Sequence, residues 1–276
     1  MIKETAYRIA VIILLTAINS CYYERESNDE LEICFVKNNN IWTMNIDGSN
    51  QNQITDGPDD FTPSWSPDGK RILFGRFESS AVRIYLIDSD GKNLKQITYN
   101  VAPVACRYPT WSADGENIYY YEENGSHSIV SAKPDGTIIR KYSITNQASS
   151  LSASPDGRYV YYIKDDNSYR LDLTTGDEIN FTDIKLYHCS VSPDGNNVAF
   201  SLDAHNIYIY NITTNTADFL VSAAVYPCWA PDSKSIIYIN LGLPHNISRI
   251  NIDRTNQTPL SSGDNCNTPC VKWKPI

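Results

Sequence analysis

One phrase returns along this chain at near-regular intervals. It reads Trp65-Ser66-Pro67-Asp68-Gly69, then Trp111-Ser112-Ala113-Asp114-Gly115. It comes back as Ser154-Pro155-Asp156-Gly157, Ser192-Pro193-Asp194-Gly195 and Trp229-Ala230-Pro231-Asp232-Ser233, and a last half-copy, Trp273-Lys274-Pro275, closes the chain. The aspartates are spaced 46, 42, 38 and 38 residues apart. Internal repetition with a period of roughly 40 to 50 residues marks a repeat architecture, and here it predicts a β-propeller.

Each copy carries the same four strand-like runs. In residues 61–98 a short run ends at Trp65 and enters Ser-Pro-Asp-Gly. Proline pre-sets φ in that turn, aspartate bonds its own backbone, and glycine accepts a positive φ. Arg71-Ile72-Leu73-Phe74-Gly75 follows, then Ile84-Tyr85-Leu86-Ile87, a turn at Asp90-Gly91, and Leu94-Lys95-Gln96-Ile97-Thr98. These runs are rich in β-branched and aromatic residues and are bounded by turn residues, so each reads as a strand. The inner run occurs six times, ending at Trp65, Trp111, Ala153, Val191, Trp229 and Trp273. The second run also occurs six times, but its first copy is Ile33-Cys34-Phe35-Val36, and none follows Trp273. The expected fold is therefore all-β: a six-bladed propeller of four-stranded antiparallel blades. The N-terminal strands join the C-terminal inner strand in one blade, which leaves no open edge. Residues 31–276 are expected to form this one domain.

The pattern W-S-P-D-G-K-x-I-x-F followed by I-Y-x-x-x-x-D-G resembles the propeller repeat of the TolB-like family, a relative of the WD-repeat propellers. The resemblance runs over residues 31–276. It implies a protein-binding module of the cell envelope. Relatives of this type also accompany peptidase and lyase activities, so fold alone does not name a reaction. The family's type member carries a small α/β domain ahead of its propeller. Here about ten residues separate the leader from the first strand, so a stand-alone propeller is expected.

Residues 1–20 read as a secretory signal: Lys3 and Arg8 precede an apolar run over residues 9–18, too short for a comfortable membrane span. Ile18-Asn19-Ser20-Cys21 resembles a lipobox, which implies that Cys21 is lipidated and anchors the mature chain to a bacterial membrane, periplasmic or surface-facing. Residues 21–30 are expected to be a flexible tether. The formal net charge is −9, which repels nucleic-acid phosphates and excludes DNA and RNA as partners. Seven cysteines are present; with Cys21 lipidated, the other six can pair in an oxidising compartment. Cys34 and Cys270 are one candidate disulfide, since both fall in the blade that joins the chain ends. A buried, unpaired Cys34 is the alternative.

The sequence carries no G-x-S-x-G elbow, no H-E-x-x-H and no phosphate-binding G-x-x-x-x-G-K. The repeated aspartates belong to turns. His127, His205 and His245 fall in one slot of three different blades, too dispersed to share a metal. No metal or other cofactor is expected. The informative positions are those where the copies differ. Three residues before the Trp slot they read Thr62, Tyr108, Ser150, His188, Tyr226 and Cys270; one residue earlier, Phe61, Arg107, Ser149, Tyr187, Val225 and Pro269. Folding holds the frame constant, so variation at one end of the inner strands points to recognition. Arg107, Tyr108, Tyr187, His188 and Tyr226 are the candidate partner-binding residues at the channel mouth, because Tyr and Arg are the commonest binding anchors. The expected function is a monomeric envelope scaffold that engages another envelope protein or a cell-wall component. The alternative is a hydrolase or lyase acting on an oligosaccharide in the same funnel.

Overall fold

A computed structural model describes residues 32–99, 103–182, 184, 186–202, 205–242, 245–261 and 272–273. Every regular element among them is a strand. The first antiparallel group is β1 (Glu32–Lys37), β2 (Asn40–Asn45) and β3 (Asn52–Gln53). Next come β4 (Asp60–Trp65), β5 (Arg71–Glu78), β6 (Ala81–Asp88) and β7 (Lys95–Gln96). The third group is β8 (Ala105–Trp111), β9 (Ile118–Glu123), β10 (His127–Ala132) and β11 (Ile138–Ile144). A single parallel bridge, Val82 to Ala105, joins it to the second. The fourth is β12 (Ala148–Ala153), β13 (Tyr159–Lys164), β14 (Asn167–Asp172) and β15 (Glu178–Thr182). The fifth is β16 (Cys189–Val191), β17 (Asn197–Leu202), β18 (Asn206–Asn211) and β19 (Thr216–Ser222). The sixth is β20 (Ala224–Trp229), β21 (Ser235–Asn240), β22 (Asn246–Asn251) and β23 (Thr258–Pro259). The last strand, β24 (Lys272–Trp273), pairs antiparallel with β1, Ile33 opposite Trp273.

The turn between inner and second strand explains why its tetrapeptide repeats. Ser66 Oγ donates to Asp68 Oδ1 at 2.5 Å and accepts the Arg71 N–H at 2.9 Å. Asp68 Oδ1 also accepts the Lys70 N–H, and Gly69 closes the turn at φ +64°. Ser112–Asp114, Ser154–Asp156 and Ser192–Asp194 repeat the Ser-to-Asp bond. The Ser112 hydroxyl and the Glu116 N–H hold the Asp114 carboxyl below the usual carboxylate range. These aspartates are committed to their turns, as the sequence predicts.

Alternating residues on both faces of every sheet are apolar, and each face packs on the next sheet. Cys34, Val36 and Ile41 meet Trp65, Ile72 and Phe74. Tyr119 and Tyr121 meet Ala148, Val160 and Tyr162. Ala199 and Ile207 meet Trp229, Ile236 and Tyr238. One cluster runs between the two ends of the chain: Ile33, Phe35 and Met44 pack with Val225, Ile237, Ile239, Ile247 and Leu260. The inner strands touch in sequence, β4 against β8, β8 against β12, β12 against β16 and β16 against β20; β24 touches both β20 and β4. Trp111 Nε1 donates to Ser64 O at 3.1 Å and Trp229 Nε1 to Ser190 O at 2.9 Å, so the recurring tryptophan ties its strand to the one before.

The Asp-Gly turns make a second kind of link. Gly136, at φ +100°, lies so close to the preceding sheet that a Cβ would stand 2.6 Å from Ile97 O. Gly48, at φ +84°, lies against the far end of the chain, where a Cβ would stand 1.9 Å from Leu260 O. Gly157 has a similar φ of +70° but nothing within 4 Å. Both positions penalise a side chain for its backbone conformation, by about 1–2 kcal/mol. Of Gly48 and Gly157, Gly48 alone adds a backbone collision. Gly48→Ala should therefore lower the denaturation midpoint clearly more than Gly157→Ala. Equal shifts in a chemical denaturation series would deny the contact between residue 48 and residue 260.

Candidate functional site

The end of the inner strands opposite the Ser-Pro-Asp-Gly turns is built on a repeated irregularity. In β4, β8, β12 and β20 the register slips between Phe61 and Ser64, Arg107 and Thr110, Ser149 and Ser152, and Val225 and Cys228. At each slip two inner-strand residues face one on the second strand: Phe74, Tyr120, Tyr162 or Tyr238, all 2 % exposed or less. The first residue of each pair is left-handed: Thr62 at φ +49°, Tyr108 at +55°, Ser150 at +56° and Tyr226 at +58°. Non-glycine residues seldom accept this conformation, and β-branched threonine least. Bulges bend a strand and re-aim a side chain, and they concentrate beside functional sites. The candidate slots thus coincide with four strained backbone positions. Pro63, Pro109 and Pro227 follow three of them and give up the N–H that a regular ladder would use.

The five candidate residues fall into two groups. Arg107 and Tyr108 sit on β8. Arg107 Nη1 meets Glu123 Oε2 on β9 at 2.9 Å, both side chains half-exposed. Tyr108 packs against the core shared by Tyr121 and Leu151. Nearby, Tyr121 Oη and His127 Nδ1 are 2.6 Å apart. The second group is contiguous across three inner strands. The Cys189 N–H donates to Ser150 Oγ at 2.9 Å, which ties β16 to β12. His188, the residue before Cys189, lies against Tyr226 of β20 with ring centroids 3.8 Å apart. Tyr187 beside it is 37 % exposed. Tyr226 also packs on the cluster that joins the two chain ends. β12 lies between the two groups, against β8 and against β16. Cys21 and Cys270 lie outside the described residues; Cys34 is fully buried on β1, opposite Lys272.

His188 Nδ1 is buried and makes no hydrogen bond among the described residues. Burial pushes the imidazole down to about 4. An unfolded histidine titrates near 6.5. Above pH 6.5 the group is neutral in both states and contributes nothing. Between about 6.5 and 4 the unfolded chain takes up a proton that the folded chain refuses, so stability falls with pH by up to roughly 3 kcal/mol. His188→Phe should flatten that part of a stability–pH curve relative to the parent. Parallel curves for the two proteins from pH 7 to 4 would contradict the buried, neutral ring.

Beneath the slots, the second strands carry charge in dry surroundings. Arg76 Nε and Nη2 reach Asp60 Oδ1 and Oδ2 at 2.6 and 2.9 Å. Lys141 meets buried Glu122 on β9 at 2.5 Å, and buried Lys164 on β13 meets Glu178. Tyr162 donates to the same Glu178, and burial raises the phenol. Each of these pairs is formed within a sheet, so they brace the slots rather than reach out from them. Sequence reasoning did not single them out, because their partners come from strands 14 to 19 residues apart with no motif in common. No cluster of three or more His, Cys, Asp or Glu suited to a metal occurs among the described residues.

Consecutive antiparallel sheets with inner strands in contact and a core between each neighbouring pair define a propeller-type fold. The TolB beta propeller domain profile matches residues 33–178, and the chain belongs to that family. Dipeptidyl-peptidase 5 of Porphyromonas gingivalis is 24 % identical over 297 aligned positions, covering 85 % of this chain and 39 % of that protein. The Tol-Pal system protein TolB of Rhizorhabdus wittichii is 35 % identical over 74 residues, 26 % of this chain and 16 % of that one. The chain therefore spans well under half the length of either relative. Among solved structures, TolB from Acinetobacter baumannii superposes with a TM-score of 0.75 at 20 % identity, covering 89 % of this chain and 67 % of that one. A chain of a nidogen/laminin complex gives 0.72 at 10 % identity, covering 88 % and 98 %. At these identities the structural matches speak for the fold.

Proposed function

We propose that this chain is a six-bladed propeller closed by β24 on β1, held in a bacterial envelope by a lipid on Cys21, and that its bulged inner rim binds an envelope protein or a cell-wall component. The observation that carries the binding site is the left-handed slot. Four blades keep the same strained bulge, yet its occupants are Thr62, Tyr108, Ser150 and Tyr226. A purely structural bulge would be served best by glycine at each copy. Closure is supported by the Ile33–Trp273 pairing, by the Gly48–Leu260 approach and by the core that unites residues 33–46 with residues 225–260. The envelope setting rests on the leader and on the kinship with a Tol-Pal system protein. Similarity to dipeptidyl-peptidase 5 supports a second reading, a propeller working beside hydrolytic chemistry.

The test is capture from detergent-solubilised envelope with the lipidated chain, the lipid on Cys21 being checked by mass spectrometry. Tyr108 and Tyr226 are poor choices for truncation, because both pack on inter-sheet cores. Arg107→Ala with Tyr187→Ala changes half-exposed positions instead. Losing two rim anchors should weaken capture by about 2 kcal/mol, roughly 30-fold, with the melting temperature within a few degrees of the parent. Undiminished capture by the double variant would remove these residues from the site. A mature chain without lipid would remove the anchor.

A further inference from the structure

Three consecutive slots form one patch whose chemistry is unlike that of the chain as a whole. Ser150 Oγ accepts the Cys189 N–H, His188 immediately precedes Cys189, and the His188 and Tyr226 ring centroids are 3.8 Å apart. Tyr187, the residue before His188, carries an exposed ring. In a chain of net charge −9, these four positions carry two phenols, a hydroxyl and an imidazole, and no carboxylate or ammonium. Burial keeps the imidazole neutral. The one charged candidate at the mouth, Arg107, belongs to the other group and already faces Glu123. The stretch leading into the patch is tied to an acidic turn, where Asp166 O accepts the Leu186 N–H at 3.1 Å.

Resting on the rim as the binding site, we propose that the patch of Ser150, Tyr187, His188 and Tyr226 takes an uncharged, hydroxyl-rich chain: a segment of neutral glycan. An exposed aromatic face such as that of Tyr187 covers the apolar C–H face of a sugar ring, and hydroxyls and the other imidazole nitrogen, Nε2, can hydrogen-bond its hydroxyls. An anionic ligand finds no cation in the patch. It would lose water without a partner, and it would approach Asp165 and Asp166 as well. A peptide segment that brings a carboxylate to the patch meets the same cost, so the neutral glycan is the better match to this set of side chains.

The experiment is calorimetric titration of the full mature chain with cellotetraose and chitotetraose, both uncharged, and with tetragalacturonate as the anionic counterpart. Saturable binding of at least one neutral oligosaccharide is expected, with tetragalacturonate at least tenfold weaker. Tyr187→Ala removes an exposed ring, and His188→Phe keeps the ring's bulk while removing its nitrogens. Each should weaken the neutral ligand about tenfold or more, while Lys70→Met, an exposed position at the opposite end of the inner strands, leaves it within twofold. Absence of saturable binding by both neutral sugars overturns the inference, as does equal or tighter binding of tetragalacturonate, or indifference to Tyr187→Ala and His188→Phe. If sugar binding fails while rim-dependent protein capture persists, only the glycan assignment falls. If capture is also indifferent to the rim, the site itself falls.

Discussion

Asp60→Asn should cost about 3–5 kcal/mol of folding stability, the usual penalty for leaving one member of a buried ion pair without its countercharge. The Asp60 side chain is fully buried and that of Arg76 is 9 % exposed, with two parallel hydrogen bonds between them. The guanidinium also lies over the rings of Phe74 and Tyr85, with centroids 5.4 and 4.9 Å away. Gly57 leaves the space it occupies, since a Cβ there would come within 2.2 Å of Nη2. Asparagine keeps the shape and discards the charge, so Arg76 stays buried without its hydrogen-bonded countercharge. Replacing both partners by apolar groups, Asp60→Leu with Arg76→Met, removes the desolvation problem and should recover most of the loss. Urea midpoints at unchanged slope measure both effects. A loss under 1 kcal/mol for Asp60→Asn would show that water reaches the pair.

Deleting residues 21–40 should have a still larger effect. β1 places Ile33, Cys34, Phe35 and Val36 at 0–1 % exposure, in cores shared with the second sheet and with the last. Burying such side chains contributes roughly 1.5–3 kcal/mol each, so their loss approaches the whole net stability of about 5–15 kcal/mol for a domain. It also strips β24 of the strand with which it pairs. The truncated chain should melt without a cooperative transition, or at least about 15 °C below the parent. A cooperative melt within a few degrees of the parent would mean that the first strand decorates the fold rather than joins its ends.

Much of this architecture was legible because it repeats. Inner strands observed to end at Trp65, Trp111, Ala153, Val191, Trp229 and Trp273 are those the turn phrase marks. The pairing of residues 33–34 with 272–273 follows from two incomplete copies. The turn aspartates were readable as structural because local hydrogen bonding needs only neighbouring residues. The rim was legible as a place but not as a conformation. Nothing in the identities of Thr62, Tyr108, Ser150 and Tyr226 announces a left-handed backbone, although the proline after three of them was a clue. Arg107 was legible as a candidate for the rim but not as the partner of Glu123, since that pairing depends on how β8 and β9 are registered. His188 read as a polar rim residue, and its dry contact with Tyr226 arises between strands from two blades. Pairings across strands depend on register, and register here includes four bulges that alternation alone does not reveal.

A partner bound at the bulged rim shields that end of the inner strands from solvent. Hydrogen–deuterium exchange of the free protein and of its complex, digested to overlapping peptides, maps that footprint. Protection should gather at the bulged ends of the inner strands, over residues 105–110, 148–152, 187–191 and 224–228. Protection confined to the opposite end, at the turns of residues 66–70, 112–116, 154–158 and 192–196, would contradict binding at the rim.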